Sequence, residues 1–236
     1  MRICNIILAR GGSKGIHRKN LSDLDGKPLV AHMIEKSLKI KFDSDVVLST
    51  EDEEIATVAK KYGALVPFLR PKELAEDHIP SLPVVQHAVT EMEKMNGFKY
   101  DIIVYIQPTS PLCRIKDLEA CIEILLNNSF YKSAVTAVKA ATHPFKMKRI
   151  INDDQLVNYI DQGFEDMRPR QSLPPVYRRS GAVYASRRSV VMEEHTLVGN
   201  PCKGIIVPED TAVDIDRPLD LKLVRFLIKN KQDYER

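Results

Sequence analysis

Leu8-Ala-Arg-Gly-Gly-Ser-Lys-Gly-Ile-His-Arg-Lys-Asn20 follows a run, Met1–Ile7, whose Ile3, Ile6 and Ile7 read as a buried first strand. Gly11, Gly12 and Gly15 stand there among Arg10, Lys14, Arg18 and Lys19. Glycine permits positive φ and lets a ligand come close to the backbone. A glycine turn after a strand presents N–H groups as an anion nest, and neighbouring Arg and Lys side chains add charge. The stretch reads as a polyphosphate cradle made by Arg10, Lys14, Lys19 and the amides of Gly11 and Gly12. A solvated basic loop would carry the same charges. No Gly-Lys-Ser/Thr closes the loop as in a Walker A, and Gly-x-Gly-x-x-Gly is missing, which disfavours a dinucleotide fingerprint.

Working outward, the Asp25-Gly26 turn within Leu21–Pro28 leads to Leu29–Ile40, a helical stripe of Val30, Met33, Ile34 and Leu38. Asp45–Ser49 reads as a short buried strand, Glu51–Tyr62 as a helix and Leu65–Phe68 as an extended piece. The alternation β-α-β-α-β predicts a mainly parallel sheet covered by helices on both sides. Arg70-Pro71 and Asp77-His-Ile-Pro-Ser81 lie in a polar irregular stretch before a helix at Ser81–Met95, with Ser81 as its expected N-cap. Asp101–Ile106 is an apolar strand, Ile115–Asn127 a helix, and Ser133–Val138 and Cys202–Val207 are strands. A hairpin is expected at Asn152-Asp-Asp154, an irregular arm rich in Arg and Pro at Gly163–Tyr177, a last helix from Arg217-Pro218, and a polar tail at Lys229–Arg236.

Two further segments carry chemistry. The strand ending at Ile106 runs into Gln107-Pro-Thr-Ser-Pro111. In open α/β sheets ligands sit beyond the carboxyl ends of strands, and prolines stiffen such a turn. Near the other end stands Thr211-Ala-Val-Asp-Ile-Asp216. Residues two apart on an extended segment face the same side, so Asp214 and Asp216 would present paired carboxylates with Ile215 buried behind. Hard oxygen pairs suit Mg²⁺, whose remaining ligands are usually waters and substrate phosphates. A surface turn would share the same spacing; the basic loop at the front of the chain favours the metal.

Bulk composition narrows the classes. The chain has 236 residues, 44% of them apolar, which fits one domain with a real core. A net charge of +3 makes the basic loop a local feature and disfavours a nucleic-acid-coating protein. Cys4, Cys113, Cys121 and Cys202 lack metal-ligand spacing and read as reduced thiols. No apolar run nears the ~20 residues of a membrane span, and Met1–Leu8 is too short for a signal peptide, so a cytoplasmic protein is expected. Zinc spacing and a Gly-x-Ser-x-Gly elbow are both missing.

Leu8–Asn20 resembles the signature of the acylneuraminate cytidylyltransferases, the CMP-sialic acid synthetases, and the resemblance runs through most of the chain. Ile106–Leu112 is similar to the family's Leu-Gln-Pro-Thr-Ser-Pro-Leu, His143-Pro-Phe-Lys146 to His-Pro-x-Lys, Arg170-Gln171 to Arg-Gln, and Tyr177–Tyr184 to Tyr-Arg-x-Asn-Gly-Ala-Ile-Tyr. The resemblance implies a Rossmann-like, GT-A-like nucleotidyltransferase fold in a single domain over 1–236. It implies a protruding dimerisation arm at about 140–180 that feeds a neighbouring subunit, hence a homodimer. The implied activity is transfer of CMP from CTP to a sialic-type nonulosonic acid with release of pyrophosphate. Leu8, Ala9, Arg10, Gly11, Gly12, Lys19, Asn20, Arg70 and Ser81 would hold the nucleotide. Gln107, Thr109, Ser110, Lys146, Arg170, Gln171 and Ser180 would hold the acceptor, and Asp214 and Asp216 the Mg²⁺. Arg10, Lys14, Lys19 and Asp216 would stabilise the reacting phosphates. Ser180 stands where the family has Asn, and His17 where its loop has Pro. Serine lacks the amide's paired donor and acceptor, which bears on the acyl pattern of the sugar. Three other readings stay open: a CMP-Kdo synthetase, a glycosyltransferase with its own Asp-x-Asp site, and a non-catalytic nucleotide-binding module.

Overall fold

The computed structural model describes residues 1–230, so most of the expected polar tail lies outside the described residues. In chain order, β1 is Ile3–Leu8, β2 Asp23–Leu24 and β3 Lys27–Pro28; α1 is Leu29–Leu38, β4 Asp45–Ser49 and α2 Glu53–Lys61. Then come α3 (Ser81–Asn96), β5 (Ile102–Ile106), α4 (Ile115–Asn127) and β6 (Ser133–Lys139). The hairpin β7 (Lys148–Ile151) and β8 (Gln155–Asn158) precedes β9 (Tyr177–Arg187), α5 (Arg188–Met192), β10 (Cys202–Ile206) and α6 (Pro218–Lys229).

The central sheet has six strands in the order β10-β6-β9-β5-β1-β4. The pairs β1–β4, β1–β5 and β10–β6 are parallel, as the alternating pattern predicts. Between them β9 runs antiparallel to both β5 and β6, so the sheet is mixed. Successive side chains of one strand go to opposite layers. Ile3 and Ile7 of β1 and Ile102, Val104 and Ile106 of β5 pack with α1, α2 and α4 through residues such as Met33, Ile55 and Leu118. Cys4, Ile6, Ile103 and Tyr105 face the other way, onto Val85, Ala88 and Val89 of α3 and Val191 of α5.

The hairpin at 152–154 is where the sequence puts it, with Asn152 and Asp153 at φ 51° and 68°. It forms a separate two-stranded sheet. Leu65–Phe68 is reduced to one parallel bridge, Val47 to Leu65. No described helix is long and apolar enough to cross a membrane.

Candidate active site

β1 and β5 are parallel neighbours, so their carboxyl ends open side by side. Beyond them lies a cleft of about 540 Å³. The loop after β1 lines it with Leu8, Arg10, Lys14, Gly15, Lys19 and Asn20, the exit of β5 with Tyr105, Gln107 and Thr109, and the strap before α3 with Arg70, Asp77 and Ser81. Asp216 closes the far side. The basic glycine loop and the acidic segment, nearly two hundred residues apart, therefore share one cavity.

The loop is held at several points. Asn20 Nδ2 donates to the Arg10 carbonyl (2.9 Å), tying its two ends together. Arg18 takes φ 51° and sends its guanidinium to Asp52 (2.5 Å) and Glu54 (2.5 Å) at the start of α2. That bond holds the Asp52 carboxyl below the usual carboxylate range. Arg18 is thus an anchor, and Arg10, Lys14 and Lys19 are the loop cations that face the cleft.

None of the loop glycines takes positive φ. What two of them supply is room. A Cβ on Gly11 would lie 2.5 Å from Asp52 Oδ2, and one on Gly15 would lie 2.2 Å from the Asp216 carbonyl oxygen. Gly15, quoted in the sequence but given no role there, is the contact between loop and acidic segment. Around Gly12 the space is open. The Gly11 amide donates to Glu51 Oε1 (2.7 Å), and Ala9 is fully buried with its N–H on the Ser49 carbonyl (3.1 Å). The Gly11 amide, expected as half of the nest, is thus taken by Glu51. Positive charge at the cleft comes from the side chains of Arg10, Lys14 and Lys19.

Lys19 is the bridge. Its Nζ donates to the Ile215 carbonyl (2.8 Å) and pairs with Asp216 Oδ1 (3.0 Å). Ile215 is fully buried among Leu24, Leu29, Leu221 and Val224, as its place between two aspartates predicts. The Ile215 amide donates to the Thr109 carbonyl (2.8 Å), which fixes the acidic segment to the β5 exit. Asp214 turns inward: burial, and then the nearby charge of Asp216, raise its pKa, and the Thr109 side chain works against the shift. Asp214 Oδ1 is buried with no hydrogen-bond partner. Asp214 Oδ2 and Gln107 Oε1 meet at Gly181 of β9, 3.6 and 3.3 Å from where a Cβ would stand, at φ 91°.

On the strap, Arg70 is buried and pairs with Glu51 (2.7 Å), which also holds Gly11. Burial lowers the Arg70 pKa, and its Nε has no partner. Asp77 spans the cleft mouth, pairing with Arg10 (2.6 Å) through one oxygen and Lys14 (2.8 Å) through the other. An incoming polyphosphate has to displace it. Ser81 is the first residue of α3 and caps nothing; its hydroxyl meets the Tyr105 hydroxyl (3.1 Å) on the cleft wall. Burial raises the Tyr105 pKa, and Tyr105 stacks on Tyr184 with centroids 5.5 Å apart.

Several sequence-predicted acceptor residues lie elsewhere. Ser180 is buried and donates to Thr136 Oγ1 (2.6 Å) inside the sheet, so it faces no cleft. Ser110 is fully buried and absent from the cleft lining. Arg170 and Gln171 border a separate cavity of about 240 Å³ with Lys139 and His143, and Lys146 lies on the 3₁₀ turn Pro144–Lys146. None of the three lines the cleft of its own chain. Sequence reasoning missed Glu51, Asp77, Tyr105 and Gly181. Glu51 and Tyr105 had a usable signal, lying at the carboxyl ends of parallel strands, and Gly181 stands in the matched Tyr177–Tyr184 signature; Asp77 had none.

Comparison with known proteins supplies the class. A family profile described as cytidylyltransferase matches residues 4–230. Pseudaminic acid cytidylyltransferase of Campylobacter jejuni is 35% identical over 226 residues, covering 95% of each chain. CMP-N,N'-diacetyllegionaminic acid synthase of Legionella pneumophila is 31% identical over 234 residues, covering 99% of each. The solved structure of CMP:2-keto-3-deoxy-manno-octonic acid synthetase complexed with CTP superposes with a TM-score of 0.71 at 19% identity, covering 98% of this chain and all of that one, which shows a shared fold. With loop, acidic segment and β5 exit gathered in one cleft, and a match over nearly its whole length, this chain belongs to the cytidylyltransferase family.

Proposed function

We propose that this chain transfers CMP from CTP to the anomeric hydroxyl of a sialic-type nonulosonic acid, releasing pyrophosphate. The observation that carries the reading is the Lys19 bridge: the basic loop meets the Asp-Ile-Asp segment at one cleft, where the Lys19 ammonium holds Asp216 and the Ile215 carbonyl and Gly15 lies against the Asp216 backbone. The names of two relatives of matching length, a pseudaminic acid cytidylyltransferase and a diacetyllegionaminic acid synthase, support the acceptor class.

Arg10, Lys14 and Lys19 neutralise the phosphates once Asp77 gives way. The acceptor oxygen bonds to the α-phosphorus as the bond to the β-phosphate side breaks, and pyrophosphate carries the leaving charge. Reactions of this kind depend on positioning and charge neutralisation. Asn20 Oδ1 and Arg70 Nε are buried polar atoms of cleft-lining residues left without partners. A base with both an amino donor and a carbonyl acceptor, as cytosine and guanine have, could partner both; the choice of cytosine rests on the family.

Asp214 and Asp216 fit a hard dication: Asp214 Oδ1 is a buried carboxylate oxygen without a partner, two residues from the Asp216 carboxylate. The described residues contain no cluster of three or more metal-ligating side chains, so phosphate oxygens and water would complete the set. Bound there, Mg²⁺ supplies charge at the phosphates and lowers the acceptor hydroxyl's pKa.

Homodimerisation is part of the proposal. Ile150 and Leu156 of the β7–β8 hairpin and Met167 beyond it are 65%, 64% and 80% exposed, an apolar set suited to a second copy. A partner's arm could then bring Lys146, Arg170 and Gln171 to a cleft they do not reach in their own chain. Light scattering should give twice the chain mass; a monomer at micromolar concentration removes this part. The function is tested by pyrophosphate release with four nucleoside triphosphates and a panel of 3-deoxy-2-keto sugar acids. Release confined to CTP with nine-carbon acids is the expected outcome. Release with the eight-carbon acid alone would make the chain a Kdo-type synthetase.

A further inference from the structure

A second cavity of about 310 Å³ opens off the cleft, within the range of small-ligand sites. The two share Ser81, Tyr105 and Gln107, while Arg179, Tyr184 and His195 line the second cavity alone. None of the phosphate-facing cations or paired aspartates reaches it. The attacking hydroxyl of a 2-keto acid and its carboxylate sit on the same carbon, so both stay at the phosphate end. The end of such an acceptor left to reach the second cavity is the one opposite the reacting carbon.

Arg179 differs from the cleft cations. Arg10, Lys14, Lys19 and Arg70 all pair with carboxylates. No carboxylate among the described residues pairs with Arg179, whose guanidinium lies 5.8 Å from the Tyr184 ring centroid. His195, at φ 50°, is held by Gln86, whose Nε2 lies 2.9 Å from His195 Nδ1. The cavity wall thus offers a guanidinium, which only donates, and the His195 ring beside the flat face of Tyr184, with Ser81, Tyr105 and Gln107 on the side shared with the cleft. Ser180, the neighbour that the family resemblance linked to the acceptor, points into the sheet at Thr136.

We infer that Arg179 is a specificity-determining residue that reads a carbonyl-bearing substituent, of the acylamino class, on the part of the acceptor remote from the anomeric carbon. The inference rests on the proposed cytidylyl transfer to a nonulosonic acid. The Arg179 guanidinium donates and never accepts, so it suits a carbonyl oxygen better than an amino group, and the tyrosine face accommodates the acyl methyl. A carboxylate is excluded from this position by its attachment next to the reacting oxygen.

The test is steady-state kinetics on the full chain with CTP and Mg²⁺. The acceptors are a diacylamino nonulosonic acid, a monoacylamino one and a 3-deoxy-2-keto nonulosonic acid bearing only hydroxyls. Arg179→Gln is expected to lower kcat/KM for the acylated acid that the unmodified protein prefers by about tenfold, the usual loss for a hydrogen bond from a charged group. The hydroxyl-only acid should change less than threefold and the KM for CTP not at all, so the preference ratio collapses. Arg179→Lys should recover part of the ratio. Equal loss on every acid, or no loss on any, overturns the inference while leaving the functional reading intact. No turnover by the unmodified protein with any acid overturns the functional reading, and the inference falls with it.

Discussion

Replacing Gly15 with alanine will remove activity by more than about a hundredfold. The added Cβ would stand 2.2 Å from the Asp216 carbonyl oxygen, closer than any real contact allows. Both sides of that contact are backbone, so no flexible side chain can swing away. Either the basic loop lifts or the acidic segment is pushed back, and in both cases the distance between the two grips on the triphosphate changes. Misplacement by about 1 Å at a reacting centre can cost about a hundredfold in rate. Overpacking typically costs about 1–3 kcal/mol, so a moderate fall in melting temperature accompanies the loss without unfolding the chain. Gly204→Ala on β10, where the nearest heavy atoms to the new Cβ are 4.0 Å away, serves as the control and should keep both activity and melting temperature. Near-normal turnover in Gly15→Ala would mean that the loop and Asp216 do not act as a fixed pair.

Lys19→Ala is expected to have the next largest effect. The ammonium group joins the Ile215 carbonyl and Asp216, and its side chain is only 15% exposed. Removing it leaves the carbonyl without its donor and the carboxylate without its counter-charge, and takes a cation away from the phosphates. Loss of one group that stabilises developing oxyanion charge typically lowers turnover by about a hundred- to a thousandfold. The KM for CTP should rise as well. Lys19→Arg restores charge but not shape, since a planar guanidinium is bulkier than the compact ammonium it replaces; it should recover only a small part of the loss. Unchanged kinetics in Lys19→Ala would make the bridge a decoration of the surface.

How far the sequence carried these conclusions depends on the range of the interactions involved. β4, β5 and α4 were legible because each is a compact apolar run or stripe bounded by polar or proline-containing stretches. β9 was not. Its start, Tyr177-Arg-Arg-Ser-Gly181, is polar and lacks alternation, and it becomes a strand only by inserting antiparallel between β5 and β6. The meeting of Arg10, Lys19 and Asp216 was legible because strand ends and residue chemistry point to the same edge of the sheet. Finer assignments depended on packing. Nothing in the sequence of Gly11 tells that its amide serves Glu51, or that Ser180 bonds Thr136 rather than a ligand. Likewise Asp77 carries no local pattern, and only the fold brings it across to Arg10 and Lys14.

The account stands on one triphosphate being gripped by the cationic loop on one side and, through Mg²⁺, by the carboxylate pair on the other. Calorimetric titration with CTP, run with and without Mg²⁺ on the unmodified protein, Arg10→Ala and Asp216→Asn, tests this most directly. Mg²⁺ is expected to tighten CTP binding to the unmodified protein, Arg10→Ala to weaken binding in both conditions, and Asp216→Asn to erase the difference between them. An Asp216→Asn protein whose CTP affinity still rises with Mg²⁺ as in the unmodified chain would contradict it.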